Sequence, residues 1–178
     1  MRVLVTGSEG FIGKNLVTRL NELEISYEVF TRKNSREDLK ILLNKIDYII
    51  HLAGENRPKN ESDFEAVNSG LTTMICEEIR LINKNIPIIL TSSTQAEHGS
   101  LYGTSKLNGE IAVKNLGNDT GNLFYIYRLP GVFGKWCKPN YNSVVATFCH
   151  NISSNIPIKV NDASFELSLV YIDDVVEE

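Results

Sequence analysis

Three glycines spaced three residues apart, Gly7, Gly10 and Gly13, stand between a short apolar run and a segment of helical periodicity. The run, residues 3–5, reads as a strand, and residues 11–23 carry Ile12, Leu16, Leu20 and Leu23 on one helical face. A chain that passes this abruptly from strand to helix needs residues without a Cβ at the turn. In Thr6-Gly7-Ser8-Glu9-Gly10-Phe11-Ile12-Gly13 the first glycine permits the turn and the second lets backbone approach an anionic ligand. The third lets helix and strand pack closely, and the helix N-terminus offers unpaired amides to a pyrophosphate. A dinucleotide is the expected occupant, with Gly7, Gly10, Phe11, Ile12 and Gly13 as its contacts. In a chain of 12 glycines such a spacing also arises by chance, and its place after the first strand is what gives it meaning.

The alternation continues. Residues 27–31 read as a second strand, 35–44 as a helix with Ser35 as cap and Asp38 nearby, and 47–52 as an apolar strand of the kind buried on both faces of a parallel sheet. Helices over 63–83, 100–116 and 142–152 then interleave with strands over 87–91 and 123–128. Strand–helix alternation of this kind predicts an α/β fold with a doubly wound, Rossmann-like parallel sheet. A length of 178 residues suits a single domain with a substantial core, so residues 1–178 are expected to form one NAD(P)-binding domain. There is no internal repeat, low-complexity stretch or evident linker.

Net charge is −4 and the sequence pI about 5.5, so the chain lacks the basic footprint that nucleic acid or an anionic membrane requires. No apolar run approaches membrane-spanning length, and the first residues read as a strand rather than a signal peptide. Cys76, Cys137 and Cys149 are odd in number and show no C-x-x-C spacing, and His51, His98 and His150 show no ligand grouping. A soluble cytoplasmic protein without disulfides or a metal site is expected, the histidines being structural.

Selectivity between nicotinamide dinucleotides is read at the end of the second strand, where an acid ordinarily takes the adenosine ribose 2′-hydroxyl. Here the strand closes as Val29-Phe30-Thr31-Arg32-Lys33, with no acid at its tip and Glu28 in mid-strand. Arg32 is placed to pair with a 2′-phosphate, so NADP (as NADPH) is expected ahead of NAD. A solvated basic loop is the plain alternative.

Tyr102-Gly103-Thr104-Ser105-Lys106 puts a phenol and an ammonium one helical turn apart on one face. A free tyrosine, with a pKa of about 10, is a poor acid–base group at neutral pH. The neighbouring ammonium is expected to lower that value. The preceding strand runs Ile88-Ile89-Leu90-Thr91-Ser92-Ser93-Thr94, ending in hydroxyls where a parallel sheet presents its ligand edge. Ser93, Tyr102 and Lys106 form the expected catalytic set, with Ser93 bonding the same substrate oxygen that Tyr102 protonates. A hydroxyl-rich turn or a Y-x-x-x-K spacing alone is common, and their order along the chain is what joins them.

Together with His51-Leu52-Ala53-Gly54, Arg128-Leu129-Pro130-Gly131-Val132-Phe133-Gly134 and Tyr171-Ile172-Asp173-Asp174-Val175-Val176, these motifs resemble the extended short-chain dehydrogenase/reductase family of sugar-nucleotide enzymes, which is epimerase/dehydratase-like. The resemblance covers nearly the whole chain. Tyr125-Ile126-Tyr127-Arg128 and the run from Phe133 through Lys135-Trp136-Cys137-Lys138-Pro139-Asn140-Tyr141-Asn142 to Cys149 resemble, more narrowly, the reductase domain of CapF-type enzymes of capsular polysaccharide synthesis. That resemblance implies NADPH-dependent reduction of the C4 ketone of a UDP-linked 2-acetamido-2,6-dideoxy-hexulose, on the route to UDP-N-acetyl-L-fucosamine. It also implies that Leu52, Ala53 and Gly54 join Tyr102 and Lys106 as cofactor contacts, that Lys106 holds the nicotinamide ribose, and that the protein is a homodimer through the Tyr102 helix.

Sibling activities separate at a few positions. Dehydratases of this family carry Asp-Glu directly after the catalytic Ser/Thr, where Thr94-Gln95 stand here and cannot eliminate water. An NAD-dependent nucleotide-sugar epimerase is disfavoured by Thr31-Arg32, yet stays open, as does a non-catalytic dinucleotide-binding module. Lys135, Trp136 and Asn142 are candidate substrate contacts, the lysine for a diphosphate and the tryptophan for stacking on uracil. Their alternative is an exposed loop anchored by the tryptophan. Arg57 and Ser93 are candidates on the sugar side. Gly131 stands where the family usually has asparagine. The family's remaining substrate-binding part, and for CapF-type enzymes a metal-dependent cupin domain, are expected to be absent beyond Glu178, leaving the C-terminal substrate-binding part truncated.

Overall fold

The structure, a computed structural model, describes residues 1–178. Its frame is a five-stranded sheet of order β2-β1-β3-β4-β5, made by β1 (Arg2–Thr6), β2 (Ser26–Phe30), β3 (Tyr48–His51), β4 (Ile88–Ser93) and β5 (Phe124–Leu129). β1 runs parallel to both β2 and β3, with Thr6 level with Phe30 on one side and His51 on the other, and β3 runs parallel to β4. Strand order therefore reverses at β1, and the crevice beyond the carboxyl ends of β1 and β3 is where such a sheet receives a ligand. The doubly wound expectation is met.

Helices α1 (Phe11–Glu22), α2 (Arg36–Lys45), α4 (Leu71–Ile82) and α5 (Leu101–Thr120) carry the crossovers. Leu4, Ile49, Ile88 and Leu90 of the sheet pack with Leu39 and Leu43 of α2, Ile75 and Ile79 of α4, and Val113 and Leu116 of α5. Each of these side chains leaves water almost completely, and fully burying one is worth roughly 1.5–3 kcal/mol. α2 starts where its sequence says it should. Ser35 accepts from the Asp38 amide and Asp38 accepts from the Ser35 amide, a capping box. No helix is long and apolar enough to cross a membrane.

Three segments differ from expectation. The helix expected over 63–83 is built as α3 (Ser62–Phe64), a π-helical turn (Glu65–Gly70) and α4. The extra residue per turn re-aims Asn68 and Ser69, both buried, a geometry that hydrophobic periodicity does not signal. α5 runs past residue 116 to Thr120, ending at Gly121 with φ +73°. A parallel pair, β6 (Gly131–Phe133) and β7 (Leu169–Tyr171), was not expected, because three-residue strands carry too little pattern.

The chain divides into two compact units, Met1–Arg128 and Leu129–Glu178. The first holds the five-stranded sheet and its helices. The second holds β6, β7, α6 (Val144–Ser153), capped by the Ser143 hydroxyl, and α7 (Ile172–Glu177). α7 begins at Ile172, directly after β7. At Gly134, with φ +137°, a Cβ would strike the Ile172 side chain, so this turn requires its glycine.

Candidate active site

The glycine turn closes as its residues require. Gly7 has φ +69°, and a Cβ there would lie 2.6 Å from the Ala53 nitrogen. A Cβ on Gly13 would overlap the Gly7 carbonyl oxygen. The turn is drawn against the 52–54 segment by Leu52 N–H donating to the Thr6 carbonyl at 3.3 Å and Ala53 N–H to Thr6 Oγ1 at 3.1 Å. α2, α5 and α6 are capped by the serine hydroxyls of Ser35, Ser100 and Ser143, whereas Gly10 gives α1 no side-chain cap. The first amides of α1 therefore remain available to an anion, beside backbone with no Cβ in the way. These features fit a dinucleotide pyrophosphate.

The catalytic candidates converge at the carboxyl end of β4. Ser93 closes the strand, almost fully buried, and its hydroxyl accepts from the Gln95 amide at 3.2 Å, starting the 3₁₀ turn Thr94–Glu97. Tyr102 and Lys106 lie one turn apart on α5, whose first turn is capped by Ser100. Tyr102 shares a hydrogen bond with Ser93 and packs its ring on Phe64 at 5.9 Å between centroids. Gly103 allows α5 to meet this 3₁₀ turn, since a Cβ there would overlap the carbonyl oxygens of Gln95 and His98. Lys106, 8% exposed, donates to the Thr91 carbonyl at 2.7 Å, and its Nζ lies 3.5 Å from where a Cβ on Gly54 would sit. One backbone segment, 52–54, thus adjoins both the glycine turn and Lys106.

The protonation behaviour departs from expectation. Burial pushes the Tyr102 phenol above its ordinary value, and the Ser93 hydrogen bond only partly offsets this. The expected lowering by Lys106 is not among the influences on the phenol, and the lysine is itself desolvated, pushed down to about 8 despite the opposing pull of Glu110. Tyr102 is therefore held as the neutral phenol, a proton donor.

Glu110, two turns beyond Tyr102 and 1% exposed, was not foreseen. It accepts from Ser92 Oγ at 2.6 Å and from both Nε and Nη2 of Arg128 at 2.8 Å. Burial raises its carboxyl, but these donors prevail and hold it at about 2. Arg128 also pairs with Glu97, so the Glu110 carboxylate joins β4 to β5 and Arg128 joins β5 to the 3₁₀ turn. Asn68 was missed as well. Its amide accepts from Glu55 N–H at 2.8 Å and donates to the Glu55 carbonyl at 3.0 Å and Ser105 Oγ at 2.9 Å. An asparagine inside a long helical pattern disfavours helix, and that was the available signal.

Arg32 is 83% exposed at the tip following β2, but its guanidinium pairs with Glu55 at 3.3 Å. The acid missing from β2 is supplied by the loop after β3, and a pairing across 23 residues cannot be read from strand ends. Arg57 is exposed and its amide donates to Glu55 Oε1 at 3.4 Å. Lys135, Trp136 and Asn142 belong to the second unit and are exposed. Lys135 Nζ lies 4.5 Å over the Trp136 ring, so the two expected substrate contacts meet each other, and Trp136 has φ +68°.

A model of the NAD dependent epimerase/dehydratase family matches residues 3–177. The chain is 51% identical over 177 residues to a Pseudomonas aeruginosa protein named UDP-2-acetamido-2,6-beta-L-arabino-hexul-4-ose reductase, covering 99% of this chain and 48% of that protein. It thus spans about half the length of that curated relative. The crystal structure of the capsular polysaccharide assembling protein CapF from Staphylococcus aureus superposes with a TM-score of 0.84 at 43% identity, covering 100% of this chain and 48% of that one. UDP-glucose 4-epimerase from Thermotoga maritima superposes with a TM-score of 0.88 at 21% identity, over 99% of this chain and 71% of that one, a likeness of fold.

Proposed function

We propose, for a chain that belongs to the NAD dependent epimerase/dehydratase family, that it is the NADPH-dependent reductase of the C4 ketone of a UDP-linked 2-acetamido-2,6-dideoxy-hexulose. The product would feed UDP-N-acetyl-L-fucosamine and surface polysaccharide synthesis. The observation that carries the reading is a half-buried Tyr102 hydrogen-bonded with Ser93, its phenol pushed above its ordinary value, with Ser93 followed by Thr94 and Gln95 rather than an acid–base pair. The name of the Pseudomonas relative supports the substrate class.

Gly7, Gly10, Phe11, Ile12 and Gly13 would hold the pyrophosphate, with Leu52, Ala53 and Gly54 along the second edge and Lys106 beneath. A nicotinamide dinucleotide bound there supplies hydride. Ser93 orients the ketone oxygen, and Tyr102 delivers a proton to that oxygen as negative charge develops on it. Lys106, held by the Thr91 carbonyl, stabilises with its ammonium the phenolate that Tyr102 leaves on giving up its proton. Arg57, Lys135, Trp136 and Asn142 are proposed to contact the sugar and its nucleotide. Residues 1–178 act as one dinucleotide-binding domain of a cytoplasmic homodimer in this reading.

One observation favours a second reading. Glu55 beside Arg32 offers an acid at the adenosine end, as NAD-dependent epimerases do. Equilibrium binding separates the two. NADPH is expected to bind at least about tenfold more tightly than NADH, with the preference lost in Arg32→Ala, as removing one charge-assisted phosphate contact requires. Equal affinities, or an NADH preference unaffected by the substitution, would remove the NADPH assignment.

A further inference from the structure

His51 is completely buried at the carboxyl end of β3, between β1 and α4, and the chemistry above does not use it. Every hydrogen around it can be placed. Thr72 Oγ1 spends its hydrogen on the Asn68 carbonyl at 2.7 Å, so at 2.9 Å from His51 Nε2 it can only accept. Nε2 therefore carries the ring proton, which leaves Nδ1 an acceptor for the Thr6 hydroxyl at 2.6 Å. Thr6 Oγ1 in turn accepts the Ala53 amide. On the far side the Asn68 side chain donates to Ser105 Oγ, and Ser105 Oγ donates to the Tyr102 carbonyl at 2.8 Å. The path runs from the 52–54 cradle through His51 to the backbone of Tyr102, and Thr6, Thr72, Asn68 and Ser105 are all buried from competing water.

We propose that His51 is a positioning residue, fixed as the neutral Nε2–H imidazole, that ties the dinucleotide cradle to the helix bearing Tyr102 and Lys106. Burial pushes the ring down to about 3, and the nearby Lys106 ammonium acts in the same direction. An imidazolium would also set two donors against Thr6 and Thr72, forcing Thr6 Oγ1 to accept twice and give up its own donation. The proposal rests on the proposed function only in calling that helix catalytic. Its test needs no sugar.

Two substitutions divide the ring's roles. In His51→Asn the amide reaches the Nδ1 position and keeps an acceptor for Thr6. In His51→Gln it reaches the Nε2 position and keeps a donor for Thr72. Nitrogen-15 NMR of the unsubstituted chain is expected to show a protonated Nε2, a bare Nδ1 and no titration from about pH 5 to pH 8. His51→Gln is expected to weaken binding of the reduced dinucleotide by about tenfold while the Asn68 side-chain amide resonances stay in place. His51→Asn is expected to shift those resonances and leave cofactor affinity within about twofold. A protonated Nδ1, titration in that range, or equal changes in both readouts for both variants would overturn the proposal. Failure to reduce any UDP-4-keto sugar would instead remove the reductase reading and leave these readouts standing.

Discussion

Burial moves Tyr102 and Lys106 in opposite directions, the phenol up and the amine down to about 8, and both shifts suit reduction. A raised phenol keeps its proton throughout neutral pH, so the first group to titrate on the alkaline side is Lys106. Ketone reduction is expected to fall as pH rises through about 8, and Lys106→Met to lose that limb while running slower at every pH. The same shift bears on stability. Between about 8 and the ordinary 10.5 the unfolded chain holds a proton that the folded chain has released, so Lys106 makes stability rise with pH across that window. Urea unfolding at either end of the window, in the unsubstituted chain and in Lys106→Met, reads this contribution directly, and a rise unchanged in the variant would contradict it. The identities of Ser93, Tyr102 and Lys106 were legible because their spacing is local. The direction of the tyrosine shift was not, because it depends on desolvation by Phe64 and its neighbours, which only the folded chain brings together.

Two short irregular elements decide where that set sits. The 3₁₀ turn Thr94–Glu97 is pressed against the start of α5 at Gly103, where the nearest atoms are backbone carbonyls that cannot swing aside. Gly103→Ala is therefore expected to cost about 2–3 kcal/mol in urea unfolding. Gly99→Ala, with nothing within 4 Å of its added methyl, should stay within about 0.5 kcal/mol. Equal effects would mean that the close approach does not govern this corner. The π-helical turn before α4 does comparable work from the other side, aiming Asn68 at Glu55 and Ser105. Sequence periodicity revealed the long helices and the apolar strands but neither of these turns. A 3₁₀ turn of four residues and a one-residue helical insertion leave almost no periodic trace. Glu110 escaped for a related reason, since a charge on a helix reads as solvent-facing until Arg128 arrives from β5 to neutralise it.

At the level of the whole molecule, strand order follows from the alternation of elements, and the switch at β1 places the glycine turn and the 52–54 segment on one crevice. That much was readable from residues 1–128, where strands are long enough to show their pattern. Residues 129–178 were read less well, because β6 and β7 pair 38 positions apart and are three residues each. The central claim is that a ketone on a UDP-linked deoxyhexulose takes its proton from Tyr102. It is tested most directly by incubating the chain with NADPH and the UDP-2-acetamido-2,6-dideoxy-4-hexulose and following loss of the dihydronicotinamide absorbance together with formation of the 4-hydroxy sugar. Stoichiometric conversion, slowed at least about a hundredfold in Tyr102→Phe with NADPH binding unchanged, is the expected result. Cofactor binding without conversion, or conversion at the same rate in Tyr102→Phe, would contradict it.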